Sequence, residues 1–215
     1  MTSVLKILES IDRVDGLEIS KLEKTLKLTK KLDRDNLSIA IQALTKLGLI
    51  KNSNDDKLII NNDIEFLQGR VRCSSKGYCF VVREDQGEDI YIRDTNLNNA
   101  WHGDSVIVLI TKQGLKRRAP EGKIQCVLQR YNDKLLAKVE SDKTNGLLRA
   151  FPLDDRITSV IDVENQNKTI DYEPNKDVIY EIEINKYPIA QFNAKGSIIR
   201  NLPLNAGVEG DIDIL

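Results

Sequence analysis

The apolar residues of this chain change their spacing once, between residues 48 and 69, and that change divides the fold. Val4, Leu5, Leu8 and Ile11 recur at three- and four-residue intervals until Gly16 interrupts them. Ile19, Leu22 and Leu26 repeat the pattern, and Leu37, Ile41 and Leu44 mark a third run that starts near Asp33 and stops at Gly48. Residues three and four apart share one face of a helix, so three helices are predicted. Residues 49–51 and 57–60 are short apolar stretches around the polar turn 52–56, the signature of a hairpin. Three helices followed by a hairpin is the order of a winged helix, which often binds DNA through its third helix. Here the expected exposed positions of that helix, Arg34, Ser38, Gln42 and Lys46, are only weakly basic. A protein-contact or packing role therefore stands beside DNA binding.

After residue 66 the helical spacing gives way to short runs that alternate every second residue. Strands are predicted at 69–73, 77–82, 89–92, 105–110 and 122–128, and again at 135–139, 146–150, 160–163, 178–184 and 196–200. Five short strands in about sixty residues point to a small Greek-key barrel of the OB type. The expected fold class is α+β and multidomain: a winged helix over 1–63, then two small antiparallel OB-type (cold-shock) barrels over 66–131 and 134–215. A ~60-residue domain buries only ~60% of its unfolded surface, so the two barrels are expected to pack on each other.

Charge is graded along the chain although it sums to −1. Residues 1–60 and 61–130 each hold 11 Lys+Arg against 9 Asp+Glu, whereas 131–215 hold 10 against 15. A polyanion site therefore belongs before residue 130. No run approaches the ~18 to 20 apolar residues of a membrane span, and the N-terminus lacks the charged-then-apolar order of a signal peptide, so a cytoplasmic location is expected. Three cysteines, Cys73, Cys79 and Cys126, cannot all pair and are expected as reduced thiols. Together with His102 they lack C-x-x-C spacing, which argues against zinc. His102, in His-Gly-Asp, is expected to shape a turn before a strand.

The stretch 76–82 carries the most chemistry. As a strand it puts Tyr78, Phe80 and Val82 on one face and Cys79 and Val81 on the other. Residues 89–93 alternate likewise, with Tyr91 and Arg93 on one face and Ile90 and Ile92 on the other. The opposite face already supplies an apolar interior, so Tyr78, Phe80 and Tyr91 read as a surface stacking platform and not as core. Unpaired bases offer flat faces whatever their identity, which suits such a platform to single-stranded RNA. Lys76 and Arg93 flank the rings. Arg70 and Arg72 on the preceding strand, and Lys112, Lys116, Arg117 and Arg118 in the basic loop 112–123, complete the expected RNA contacts.

Lys76-Gly77-Tyr78-Cys79-Phe80-Val81 resembles the first ribonucleoprotein motif of cold-shock domains, and Asp89-Ile90-Tyr91-Ile92-Arg93 resembles the second. With Gly69, residues 100–106 and residues 118–124, the pattern is similar to the first cold-shock domain of the ribonuclease II / ribonuclease R exoribonucleases. Residues 177–182, Pro188 and 196–199 are similar to the second. Cys79 stands where these motifs usually have glycine, Arg93 where they often have histidine, and no tryptophan precedes Lys76. The resemblance implies the RNA-gripping portion of a 3′→5′ exoribonuclease, feeding a catalytic domain whose clustered aspartates hold magnesium. Asp211 and Asp213 at the end of this sequence have no such cluster. No catalytic residue, metal site or cofactor is therefore expected in the chain itself, nor nuclease activity with magnesium or manganese. A free-standing RNA chaperone or translation regulator, and a scaffold with a protein partner on its winged helix, are the rival readings.

Overall fold

In a computed structural model the chain forms three helices, a hairpin and two closed five-stranded barrels. The structure describes residues 3–14, 16–53, 55, 57–63, 66–115, 118–142, 146–164 and 178–203. Helices α1 (Val4–Asp12), α2 (Ile19–Thr25) and α3 (Lys31–Lys46) bury Leu8, Ile11, Leu22, Leu37, Ile41 and Leu44 as their spacing predicts; Ile7 joins them, whereas Val4, Leu5 and Leu26 are half-buried and Ile19 is exposed. The Ser3 hydroxyl caps α1 by accepting from the Lys6 amide, and Gly48, at φ +75°, lets the chain leave α3. Strands β1 (Ile50–Asn52) and β2 (Leu58–Ile60) form the hairpin, and Leu17 exchanges both backbone hydrogen bonds with Leu58 at its edge. This helical unit does not close its own core. Ile107 and Leu128 from the first barrel complete it, with Phe66 and Cys126 packed alongside.

The first barrel consists of β3 (Leu67–Cys73), β4 (Cys79–Arg83), β5 (Ile90–Ile92), β6 (Ser105–Lys112) and β7 (Glu121–Gln129). The second consists of β8 (Lys134–Ser141), β9 (Leu148–Pro152), β10 (Ile161–Val163), β11 (Val178–Lys186) and β12 (Ala194–Pro203). Around the ring the orders are β3-β4-β5-β7-β6 and β8-β9-β10-β12-β11. Strand by strand these are the same topology, down to one parallel pair in each, β5 with β7 and β10 with β12. Period-two alternation fills the first interior with Val71, Cys73, Cys79, Val81, Ile90, Ile92, Val106, Val108 and Ile124. Gly69 is required where β3 presses on β4, since a side chain there would run into the Val82 carbonyl.

Two sequence expectations need correction. The predicted strand 77–82 begins only at Cys79, because Ser74 and Tyr78 close a turn (Ser74 N–H to Tyr78 C=O, 2.9 Å) that Gly77 enters at φ +80°. The cysteines are not all reduced thiols. Cys73 and Cys79 face each other in the β3–β4 register and are joined as a disulfide, while Cys126 is free. Counting cysteines carries no information about strand register, and register is what brings these two together.

The barrels are locked by the loop before β6. Trp101, at 3% exposure, belongs to the core of the second barrel, donates its indole N–H to Ser159 Oγ (2.8 Å), and meets Tyr187 edge-on at 5.5 Å. Asp104 is fully buried beneath it and accepts from the Trp101 amide (2.8 Å), the Tyr131 amide (3.0 Å) and Arg130 Nη1 (2.9 Å). Burial raises the Asp104 carboxyl above its ordinary range, and these donors and the Arg130 charge oppose that rise. Among the described residues no helix is long and apolar enough to cross a membrane.

Candidate nucleic-acid interface

The outward face of β3, β4 and β5 is built by alternation. Arg70 and Arg72 project from β3 between buried Gly69, Val71 and Cys73. Arg72 lies opposite Phe80, Phe80 lies opposite Tyr91, and Tyr91 lies beside Glu121 of β7. One row of side chains, Arg72–Phe80–Tyr91–Glu121, therefore crosses four strands. The Phe80 and Tyr91 ring centroids are 5.5 Å apart with planes at 58°, within the range of favourable aromatic pairs. Tyr78 stands beyond β4 in the turn, 57% exposed, beside exposed Lys76. The face thus offers half-buried rings anchored in the sheet and one ring free at its edge.

The cations around the rings are not equivalent. Arg93 leaves β5 and is bound by Glu121 (Nη2 to Oε2 2.8 Å, Nε to Oε2 3.1 Å). Lys112 meets the other oxygen of the same carboxylate at 3.6 Å. A single acid thus occupies two of the expected RNA contacts. Arg118 is exposed at a turn closed with Leu115, and Lys116 and Arg117 lie outside the described residues. Arg70 donates to the Gly103 carbonyl at 2.9 Å and sits 5.8 Å from the centre of the Tyr131 ring.

The face extends beyond the residues that the sequence singles out, to Arg83, Tyr131 and Arg156. Between the barrels runs a groove of about 750 Å³, lined by Arg70, Arg72, Arg83, His102, Tyr131 and Arg156 among others. Tyr131 is 65% exposed, and Gly103, at φ +91°, leaves room for its ring. Arg83 is paired with Asp85, and Arg156 makes a two-pronged contact with Asp154, both bonds 2.8 Å. His102 Nδ1 accepts from the Cys73 amide at 3.0 Å, so its Nε2 carries the proton of the neutral ring. Burial lowers its pKa, helped by the nearby Arg156 charge. His102 therefore shapes the turn before β6, as its sequence context predicts, and also lines the groove. The sequence singles out Arg70 and Arg72 but not the groove, because its walls come from five separate parts of the chain. Among the described residues no group of three or more His, Cys, Asp or Glu side chains is placed to hold a metal ion.

Residues 69–127 match the ribonuclease B OB domain, and residues 5–60 match the N-terminal domain of cyanobacterial RNase R. The chain is 37% identical over 196 residues to the acetazolamide conferring resistance protein zam of Synechocystis sp., covering 90% of this chain and 24% of that protein. It is 24% identical over 173 residues to ribonuclease R of Acidithiobacillus ferrooxidans, covering 79% of this chain and 38% of the relative. With ribonuclease R of Thermotoga maritima it shares 27% identity over 204 residues, 94% of this chain and 26% of the relative. It thus spans about a quarter to two fifths of the length of these relatives. Among solved structures, 69% of the chain superposes on yeast Ssd1, a pseudonuclease, with a TM-score of 0.55, 17% identity and 24% of that chain covered. Mycoplasma genitalium RNase R, in complex with ribose-methylated single-stranded RNA, matches the same share with a TM-score of 0.51, 16% identity and 23% coverage. Both superpositions speak to the fold. The sequence matches go further: the chain belongs to the ribonuclease II / ribonuclease R family and carries its N-terminal helical and OB regions.

Proposed function

We propose that this chain is the single-stranded RNA-gripping portion of a 3′→5′ exoribonuclease of the ribonuclease II/R type. The observation that carries the reading is the row Arg72–Phe80–Tyr91, a cation and two rings on the outside of a barrel whose apolar interior is complete without them. Bases stack on Phe80, Tyr91 and Tyr78, while Lys76, Arg70, Arg72 and the basic loop meet phosphates. The strand continues past Arg72 into the groove at Tyr131. One neighbouring structure, an RNase R with single-stranded RNA bound, supports the same ligand class. Hydrolysis and its magnesium belong to a catalytic domain outside this sequence, and the protein works in the cytoplasm.

The helical unit is a winged helix, a reading supported by the Leu17–Leu58 pairing beside the hairpin. On α3, Leu32 and Ile39 are exposed at 68% and 64% among Arg34, Ser38, Gln42 and Lys46. That mixed surface favours a protein contact over DNA phosphates. The test of the main reading is fluorescence anisotropy with one RNA presented as a single strand and as a duplex. Tighter binding of the single strand is expected, because a duplex hides its base faces. Equal affinity for both forms would reduce the site to a basic surface without stacking.

A further inference from the structure

Cys73 ends β3 and Cys79 begins β4, and their disulfide closes the mouth of the turn 74–78. That turn carries Lys76 and Tyr78, the free edge of the platform. We propose that the Cys73–Cys79 pair is a thiol–disulfide exchange site, and that a dithiol reductant opens it to loosen the turn and lower RNA affinity. The RNA half of this proposal rests on the platform reading above.

Three observations support an exchangeable bond over a merely structural one. First, the barrel does not depend on it. The β3–β4 pairing runs in register from Gly69–Arg83 to Cys73–Cys79, and the ring closes through five strands without the sulfurs. The loop that the bond closes is short, and the entropy gained by closing a loop is least for short ones. Secondly, a cavity borders the pair. Both cysteines are buried, at 8% and 5% exposure, but together they line a cavity of about 260 Å³ at the seam, with Ser74, Gly77, Asn99 and Trp101. In the exchange proposed, a small dithiol approaches the bond through this cavity. Thirdly, the remaining cysteine is no competitor. Cys126 packs against the core shared by helices and barrel, and burial pushes its thiol up to about 12, so it supplies almost no thiolate for exchange.

The chemistry balances with one named co-reactant. A dithiol attacks one sulfur, the Cys73–Cys79 bond breaks, and a mixed disulfide forms. The second thiol of the reductant then displaces the remaining cysteine, leaving an oxidised cyclic disulfide and two protonated cysteines. The two electrons and two protons all come from the dithiol. In the open form the turn keeps its backbone bonds, Ser74 N–H to Tyr78 C=O and Gly77 N–H to Ser74 C=O, but loses its covalent clamp. Because the Cys73 amide also holds His102 Nδ1, loosening reaches the edge of the groove as well.

The experiment uses the full chain, oxidised or treated with dithiothreitol, with two readouts: single-stranded RNA affinity and the rate of tryptic cleavage after Lys76, followed by mass spectrometry. Reduction is expected to accelerate the Lys76 cut and to weaken RNA binding three- to tenfold, reversibly on reoxidation. The Cys73→Ala/Cys79→Ala variant is expected to behave as the reduced protein and ignore the reductant, while Cys126→Ala responds as wild type. Equal Lys76 cleavage in both redox states overturns the latch, whatever RNA does. Redox-dependent cleavage with unchanged RNA affinity overturns the coupling to binding. Redox-dependent cleavage with no RNA binding in either state leaves the latch standing and overturns the platform reading instead.

Discussion

The two barrels share one topology and differ in what they show to solvent. Aligned through their parallel strand pairs, the row Arg72–Phe80–Tyr91–Glu121 of the first corresponds to Glu140–Arg149–Asp162–Lys195 of the second. Buried glycines, Gly122 and Gly196, occupy the same place next to each row. Where the first barrel has rings, the second has alternating charge, held by Arg149–Asp142 at 3.2 Å and Lys195–Glu164 at 2.8 Å. The interior pattern fixes the barrel, and the outward residues are left free to diverge. A row whose cations are paired with neighbouring acids offers neither a π-face nor a free cation to a nucleic acid. For the proposed RNA contact, the comparison favours the sheet face of the first barrel over the matching face of the second.

Cutting the seam between the two barrels is expected to have the largest effect. Asp104→Ala leaves Arg130, 21% exposed, and two backbone amides without their shared acceptor. Removing one partner of a buried ion pair costs ~3–5 kcal/mol, and the low end applies here because burial already disfavours the Asp104 charge. Urea unfolding should show a loss of ~3 kcal/mol. A loss below ~1 kcal/mol, the range of exposed pairs, would mean that the barrels hold together without this residue.

Next comes a paired truncation on the two faces. Phe80→Ala should weaken single-stranded RNA binding by roughly five- to a hundredfold with an unchanged salt slope, since a stacked base and no phosphate contact is lost. Phe151→Ala, on β9 of the second barrel and 38% exposed, should leave affinity within about twofold, the scatter of a contact that carries no base. Comparable losses from both would spread the platform over two barrels. A collapsed melting temperature for Phe80→Ala would make that ring part of the core.

A smaller gain is expected from Glu121→Gln. This frees Arg93 and Lys112 together, so RNA binding should tighten a few-fold, and the logarithmic salt slope should steepen by ~0.7 for each cation that then meets a phosphate. A control change in the second barrel, Glu181→Gln beside Arg200, should alter neither. Smallest is the pH effect of His102. Its folded pKa lies below the ordinary 6.5, mainly through burial, so the neutral ring is the form that folding favours. The stabilisation is full above the unfolded value and is lost as pH falls from there through the folded value. Wild type should therefore lose more melting temperature between pH 7 and pH 5 than His102→Gln. Parallel curves would show that His102 does not titrate differently on folding.

Much of this architecture was legible in the sequence because burial writes itself as spacing. The helical residues Ile11, Leu22 and Leu44 and the strand residues Val81, Ile90 and Ile92 fall where their periods place them, and Phe80 and Tyr91 emerge on the opposite face by the same alternation. What stayed hidden depends on strand order. Glu121 is 28 residues from Arg93, and nothing local says that β7 runs parallel to β5 and delivers a carboxylate there. The Cys73–Cys79 bond and the Tyr131 groove are hidden for the same reason. The basic bias of residues 61–130 was real as a count, yet it overstated the free charge, since Glu121 holds two of the cations assigned to RNA.

Trp101 makes the core of the second barrel depend on the first. Its indole fills the second barrel, yet it is translated before any residue of that barrel. During synthesis, domains fold as units from the N-terminus, so the first barrel emerges with a large apolar ring waiting at its rim. The second barrel then condenses around a side chain already held in place by its predecessor. Severed at the linker, it would have to close over a hole the size of a tryptophan, and a vacancy of that kind typically costs ~3–5 kcal/mol. The second barrel is thus a dependent of the first, which acts for it as a built-in folding template.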